Sequence, residues 1–276
     1  MVGYRLGVLA TRVKILREFK SAELKISAAP KGVKMEEELL INPNEYLKAG
    51  IHIATKVKSA GMAKFIMKVR EDGLYLLDIR TIDARIRIAA SMIARYDPKD
   101  IVVTASRLYA ITAAQKFAEI IDAKFIPGRV TPGIFTNPYK EGFTELKLLI
   151  ISDSRNEKQG VKEASNVNVP IIALNDTDNI TKYLDLIIPV NNRGRRSLAY
   201  TYYLLAREVL KNRGTISSNE EFGHNVEDFE VKSDQPGKTK HQDLQIGAAV
   251  QGGAEQESST EPISEQQSAS EPKASE

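Results

Sequence analysis

The sequence contains no cysteine and no tryptophan, and only three of its 276 residues are histidine. The absence of cysteine excludes disulfides, thiol nucleophiles and cysteine-based zinc sites. No apolar run approaches the roughly 20 residues that a membrane-spanning helix requires. The apolar residues 6–10 lie between Arg5 and Arg12 without a following small-residue cleavage site, so they do not resemble a secretory signal. We therefore expect a soluble, intracellular protein without a membrane partner.

Glycine-rich phosphate loops are also missing. Neither G-x-G-x-x-G nor G-x-x-x-x-G-K occurs, and no serine lies in a G-x-S-x-G elbow. His52 is the only histidine before residue 218, and it stands between Ile51 and Ile53. This setting favours a hydrogen-bonded structural histidine over a catalytic base. The absences predict a protein that has no cofactor and no small-molecule substrate.

Charge is distributed unevenly along the chain. Residues 218–276 contain 13 acidic and 4 basic side chains, a net charge of −9, whereas residues 1–217 contain 35 basic and 23 acidic, a net charge of +12. Residues 1–34 alone carry 8 basic and 2 acidic side chains. A basic body beside an acidic segment indicates a polyanionic partner for the body, such as nucleic acid.

Composition and periodicity divide the chain into three parts. Residues 1–34 form a basic N-terminal arm, residues 35–217 an α/β domain, and residues 218–276 an acidic tail. The tail is rich in Ser, Gln, Glu and Gly. Because it offers little apolar surface to offset the entropy of ordering, we expect it to be disordered.

The domain is predicted to be α/β, with a doubly wound, mainly parallel sheet and helices on both faces, a Rossmann- or flavodoxin-like three-layer sandwich. A short helix ends at Gly50, and a hairpin turns at Asp72-Gly73. The next helix has Thr81 as a plausible N-cap. The apolar runs predict strands at 101–104, 124–126, 148–151, 170–174 and 186–189, and helices at 107–121, 157–166 and 195–213.

Three aspartates follow predicted strands and allow two interpretations. Asp153 follows residues 148–151, and Asp176 and Asp178 follow residues 170–174. Such carboxylates could hold magnesium for phosphoryl transfer, since ligands bind at the carboxyl ends of parallel strands. They could equally be strand-end caps and turn formers. Without a phosphate loop or a counter-ion lysine, the structural interpretation is favoured.

Two segments favour binding over catalysis. Residues 191–197 read Asn-Asn-Arg-Gly-Arg-Arg-Ser between a strand and a helix, where backbone N–H groups and the helix dipole attract anions. The alternative is a solvated cap with ordinary surface arginines. Residues 127–144 form a long irregular stretch, and such loops are usually functional. Its residues 127–138 include Arg129, Phe135 and Asn137 and no acid–base pair.

Seven segments resemble one known family. They are residues 46–53, 72–79, 82–90, 128–138, 171–178, 188–194 and 203–210. They occur in family order over roughly 43–214, and they identify the chain as a member of the universal small-subunit ribosomal protein S-two family. Absence of the coiled-coil insertion of bacterial members indicates the archaeal and eukaryotic branch. Asn175 replaces a cysteine usual in many relatives, and residues 1–34 match no family segment.

The resemblance implies a structural constituent of the small subunit that is not an enzyme. The family member lies near the head–body junction and the messenger-RNA exit, on cytoplasmic ribosomes. It binds ribosomal RNA and neighbouring ribosomal proteins and supports subunit assembly. From the basic body and the two segments we expect these residues to contact RNA: Lys56, Lys58, Lys64, Arg70, Arg107, Arg129, Asn137, Arg155, Asn191, Asn192, Arg193, Arg195 and Arg196.

Overall fold

The computed structural model describes residues 39–231. The predicted N-terminal arm, and the predicted tail from residue 232 onward, lie outside the described residues. None of the helices within residues 39–231 is long and apolar enough to cross a membrane.

The first helix, α1, spans Pro43–Ala49. The Asn42 side chain accepts a hydrogen bond from the Asn44 amide at 3.0 Å, and proline occupies the first turn, where its missing N–H is not needed. Gly50 ends the helix in the left-handed region, with φ 68°. The predicted end of this helix at Gly50 is confirmed.

The predicted hairpin is also present. After a 3-10 helix at Ala60–Phe65, strands β1 (Ile66–Val69) and β2 (Tyr75–Leu77) pair antiparallel. The turn is closed by the Gly73 amide donating to the Arg70 carbonyl at 2.9 Å. Gly73 has φ 80°, a conformation that side chains other than glycine rarely adopt.

Helix α2 spans Ile79–Ile93, and its N-cap differs from the prediction. Asp78 caps the helix, with its carboxylate accepting from the Arg80 amide at 3.2 Å and from the Thr81 hydroxyl at 2.7 Å. Thr81 is therefore inside the first turn, and its prediction as N-cap was wrong. The aspartate three residues earlier has the extended backbone that a cap requires.

Five parallel strands form the main sheet. In chain order they are β3 (Ile101–Ala105), β4 (Lys124–Pro127), β5 (Leu148–Ile151), β6 (Ile171–Asn175) and β7 (Leu186–Pro189). Their order in the sheet is β4-β3-β5-β6-β7. The helices between and after them are α3 (Leu108–Ile121), α4 (Lys158–Asn166) and α5 (Arg195–Asn212). This is the strand order of flavodoxin-like sheets, and the predicted doubly wound fold is confirmed.

The two faces of the sheet are covered differently. One face packs against α2, α3 and α5, with Val103, Ile150, Phe117 and Tyr202 fully buried between the layers. The opposite face packs against α4 and the long connection between β4 and β5. That connection contributes three buried side chains, Val130, Phe135 and Leu146. The long loop is thus part of the second covering layer.

The folded domain extends beyond the predicted boundary at residue 217. Residues Val226–Phe229 form a 3-10 helix, and the side chains of Phe222 and Phe229 are 4% and 1% exposed. Both rings contact Tyr203 of α5, with centroids 5.3 and 6.0 Å apart. The prediction of disorder was wrong for residues 218–231, because two phenylalanines in a polar segment bury enough apolar surface to dock it.

Candidate nucleic-acid interface

The carboxyl ends of β3, β5, β6 and β7 bring together the polar residues that follow each strand. In parallel sheets this edge is where ligands bind, at the point where strand order reverses. Here the reversal lies between β3 and β5. The crevice contains the protein's own side chains, most of them hydrogen-bonded to one another.

Glu157, just before α4, occupies the reversal point. Its carboxylate accepts hydrogen bonds from the Thr104 hydroxyl and from the amide and hydroxyl of Ser106, the last two at 3.2 and 3.3 Å. The side chain is 2% exposed, and this burial raises the pKa of Glu157 to about 8 against the opposing effect of the Thr104 hydrogen bond. Sequence reasoning missed Glu157, because nothing local distinguishes it from a surface helix-start glutamate.

Asp153 is the buried anchor of this edge. The Arg107 guanidinium contacts its carboxylate at 2.6 and 2.7 Å, and Asp153 itself is fully buried. Its other oxygen accepts from the Arg155 amide at 2.9 Å and from the Asn179 side chain at 3.0 Å. Both oxygens of Asp153 are therefore engaged by donors of the chain.

A second cluster joins two predicted RNA-binding arginines through one carboxylate. Asp178 accepts from Arg155 at 2.9 Å and from Arg193 at 2.5 Å, and Arg193 also lies 3.9 Å from Asp176. Both arginines remain about half exposed, whereas Asp176 and Asp178 are nearly buried. Burial raises the pKa of Asp176 to about 6, against the hydrogen bond from the Thr177 amide. The cluster therefore presents two arginine guanidinium groups that are held by buried aspartates.

These contacts favour the structural interpretation of the three aspartates. Asp153 and Asp178 each pair with arginine, and Asp176 accepts from the backbone amides of Thr55 and Thr177 at 3.3 and 2.7 Å. Across residues 39–231 no three His, Asp or Glu side chains are grouped to hold a metal ion. The carboxylates fix the positions of neighbouring arginines and loops.

The start of α5 is held by Asn191. Its side-chain oxygen accepts from the backbone amides of Arg193 and Gly194 at 3.0 and 3.1 Å. Its side-chain amide donates to the Gly50 carbonyl at 3.2 Å. The Ser197 hydroxyl donates to the backbone carbonyl of Asn191 at 2.7 Å. Asn191 therefore shapes the segment that carries the arginines, and the amides of Arg193 and Gly194 are already bound within the chain.

Asn192 does not reach the surface. It is fully buried, and its amide donates to the carbonyls of Ser152 and Leu174 at 3.4 and 3.3 Å. The prediction that Asn192 contacts RNA was wrong, because a side chain enclosed between strand ends cannot meet a phosphate outside. Its role is to tie the end of β7 to the ends of β5 and β6.

Arg195 and Arg196 are exposed but share an acidic neighbour. Both approach Glu230, at 3.6 and 3.3 Å, and Arg195 also donates to the Val231 carbonyl at 3.4 Å. Arg196 retains 66% exposure. The segment after α5 thus returns to the helix start and covers part of its positive charge, an arrangement that no local pattern indicates.

The segment before the hairpin, which carries Lys56, Lys58 and Lys64, contacts the same edge of the sheet. The Ser59 amide donates to the Thr177 carbonyl at 2.8 Å. Gly61 allows this approach, since a Cβ there would lie 2.0 Å from the Thr181 hydroxyl. Lys56, Lys58 and Lys64 are exposed, with Lys58 over the Tyr75 ring at 5.5 Å.

Arg70, at the hairpin turn, and Lys64, in the 3-10 helix before the hairpin, are likewise exposed. Arg70 pairs with Asp72 at 3.0 Å, each side chain being more than half exposed. Lys64 lies over the Phe65 ring at 4.9 Å. Exposed pairs of this kind are weak, so both cations can exchange their neighbours for a phosphate.

The long loop is organised by a buried acid that the sequence did not reveal. Glu163 of α4 accepts from the amides of Gly133 and Phe135 at 2.7 and 3.2 Å, and from the Gln159 side chain at 2.6 Å. Arg129 and Asn137 are exposed on this loop. The Asn137 side chain accepts from the Tyr139 amide at 3.1 Å, which fixes the loop tip.

Fold and site together define a flavodoxin-like α/β domain with a ligand edge closed by ion pairs and surrounded by exposed cations.

Comparison with known proteins supplies the family. The family model for Ribosomal protein S2 matches residues 139–212. Over 198 residues the chain is 49% identical to the small ribosomal subunit protein uS2 of Thermoplasma acidophilum, covering 72% of this chain and 100% of that protein. The chain belongs to the ribosomal protein S2 family.

Two further relatives agree with this assignment. The small ribosomal subunit protein uS2 of Picrophilus torridus is 50% identical over 198 residues, which cover 72% of this chain and 99% of that protein. The protein of the same name from Saccharolobus solfataricus is 48% identical over 195 residues, covering 71% of this chain and 84% of that protein. The relatives are archaeal, and the predicted archaeal and eukaryotic branch is confirmed.

Proposed function

We propose that this chain is a structural constituent of the small ribosomal subunit that binds small-subunit ribosomal RNA through the carboxyl edge of its sheet and the adjoining hairpin. The observation that carries the proposal is the Arg155–Asp178–Arg193 cluster, in which two half-exposed guanidinium groups stand on a buried carboxylate. Relatives named as small ribosomal subunit proteins support the same assignment.

The binding mechanism is electrostatic, with two kinds of cation. Arg107, Arg155 and Arg193 are held by aspartates, so their forked donors meet phosphate oxygens with little loss of side-chain freedom. The exposed lysines of the hairpin neutralise phosphates and release counterions without fixed geometry. Phosphate contacts set the register of the protein on folded RNA, and base readout is a minor part of recognition.

The protein would also have protein partners and a defined location in the ribosome. Neighbouring ribosomal proteins near the head–body junction would contact the remaining surface, and the protein would act with the cytoplasmic ribosome in assembly and translation. It has no catalytic step, because Asp153 and Asp178 pair with arginines and Asp176 accepts hydrogen bonds from backbone amides. The proposed function requires no cofactor and no small-molecule substrate.

Salt dependence of RNA affinity tests the proposal. Replacing Lys56, Lys58 and Lys64 together by alanine should flatten the log–log salt slope by about two units for small-subunit RNA. The control is Lys99→Ala with Lys124→Ala, which removes two exposed lysines, one fewer than the test variant, at the opposite, amino edge of the sheet. An equal slope for both variants would remove the hairpin from the RNA interface.

A further inference from the structure

A groove on the α4 side of the domain has features of a separate binding site. It has a volume of about 300 Å³ and runs between α4 and the loop that joins β6 to β7. The Ser154 hydroxyl donates to the Ile180 carbonyl at 2.8 Å, which links the residues before α4 to that loop. The lining residues are Ser154, Lys158, Val161, Lys162, Ser165, Asn166, Ile180, Lys182 and Tyr183.

The charge of the groove is of one sign. Lys158 and Lys162 lie one turn apart on the same face of α4, and Lys182 lies on the loop across the groove. All three lysines are exposed, and no carboxylate lines the groove. A polyanion is the partner that such a lining attracts.

The groove also carries an aromatic side chain in an unusual conformation. Tyr183 has φ 68°, a left-handed backbone that costs a bulky residue energy and that glycine would adopt freely. Its side chain is nevertheless 55% exposed, so burial does not compensate for this cost. Lys182 lies over the ring at 4.8 Å, which places a cation and an exposed ring side by side.

We propose that this groove binds a single-stranded segment of small-subunit ribosomal RNA, with the three lysines on phosphates and a base stacked on Tyr183. Unpaired bases are commonly recognised by stacking on aromatic rings, and lysines track the backbone beside them. The lining of α4 from Lys158 to Asn166 extends about 12 Å, at about 1.5 Å per residue.

The inference rests on the proposed function and extends the RNA-binding surface beyond the carboxyl edge. Two of its lining residues, Ser154 and Ile180, lie next to Arg155 and the Asp178 loop along the chain. None of its lysines or its tyrosine was among the RNA contacts predicted from the sequence. Lys158 and Lys162 show helical spacing, but only the fold places Lys182 and Tyr183 opposite them.

The test uses the full chain and a transcript of the small-subunit RNA from the source organism. The variant Lys158→Ala, Lys162→Ala and Lys182→Ala should flatten the salt slope by about two units, at about 0.7 per phosphate on a single strand. The pair Lys99→Ala and Lys124→Ala is the control for loss of charge. Circular dichroism checks that each variant is folded.

Tyr183 gives a second readout that a merely structural role would not produce. Tyr183→Gly removes the ring and relieves the left-handed backbone, so the melting temperature should stay the same or rise while RNA affinity falls about tenfold. Tyr183→Phe keeps the stacking surface and should bind like the natural chain. A structural tyrosine would instead show loss of stability in Tyr183→Gly without selective loss of RNA binding.

The outcomes separate this inference from the proposed function. If the natural chain binds with a steep salt slope while the groove variants behave like the control, the groove is not an RNA site and the proposed function stands. If the natural chain shows no salt-dependent RNA binding, both fail. If the groove variants bind RNA normally but do not enter small subunits, the groove contacts a protein and the inference is overturned.

Discussion

Arg107 and Asp153 form an ion pair across the ends of β3 and β5, with Nη2 of the arginine 2.6 Å from Oδ2 of the aspartate. The aspartate side chain is fully buried, whereas the arginine side chain is 27% exposed. The pair therefore closes the crevice where flavodoxin-like sheets bind ligands and presents the arginine at its mouth. One contact both stabilises the edge and orients a cation.

The first prediction concerns the stability contributed by this pair. Asp153→Ala should lower the free energy of unfolding by about 3 kcal/mol, because it leaves Arg107 without its carboxylate and removes one of the two acceptors of the Asn179 amide. Asp72→Ala, which breaks the exposed pair with Arg70, should change it by under about 0.5 kcal/mol. Urea unfolding of both variants measures the difference. Similar losses would show that burial of Asp153 does not set the strength of its pair.

The second prediction concerns pH. The pKa of Glu157 is raised from 4.5 to about 8 in the folded chain, so the folded state holds a proton that the unfolded state releases. Stability from this group is present below about pH 4.5 and is lost as pH rises to about 8. The pKa of Asp176 is raised from 3.8 to about 6, so the stability that this group contributes is also lost as pH rises, over a lower pH range.

The variant Glu157→Gln separates the effect of Glu157 on stability from that of Asp176. Between pH 6 and 8 the natural chain should lose stability at up to about 1.4 kcal/mol per pH unit, and the variant should lose little, because glutamine does not ionise. Glu145→Gln, at an exposed position, is the control and should retain the natural slope. Urea unfolding at both pH values gives the answer, and an unaltered slope in Glu157→Gln would contradict the assignment.

The third prediction concerns the C-terminal boundary. A chain ending at Ser217 should melt many degrees lower than the full chain, because it loses Phe222, Phe229 and the Glu230 contacts of α5. A chain ending at Val231 should melt like the full chain, since the composition beyond it offers little apolar surface. Phe229→Ala alone should cost about 3–5 kcal/mol. Equal melting temperatures for the two truncations would show that residues 218–231 do not stabilise the domain.

Much of this fold could be predicted from the sequence. The continuous apolar runs gave all five parallel strands within one or two residues, since buried strands need apolar side chains on both faces. Gly50 and Asp72-Gly73 predicted their turns because their conformations are local. The family resemblance then indicated the partner, while the residues alone indicated only a polyanion.

Apart from the N-cap of α2, where Asp78 competes locally with Thr81, the errors share one physical cause, which is contact between residues distant along the chain. Asn192 looked like a surface residue because it stands beside three arginines, yet the ends of β5 and β6 enclose it. Glu157 and Glu163 looked like ordinary helix residues, and each is buried by a segment about 30 to 50 residues away. Phe229 stands in an acidic, polar segment, and its burial depends on Tyr203 and on packing against α3 and α5.

The most direct test of the central claim is sedimentation of the tagged full chain in a lysate of its source organism. The account predicts that the chain travels with the small subunit in a sucrose gradient. A variant with Arg155→Ala and Arg193→Ala should dissociate at lower salt than the natural chain, and Lys99→Ala with Lys124→Ala should dissociate at the same salt. A natural chain that stays at the top of the gradient while small subunits sediment without it would contradict the account.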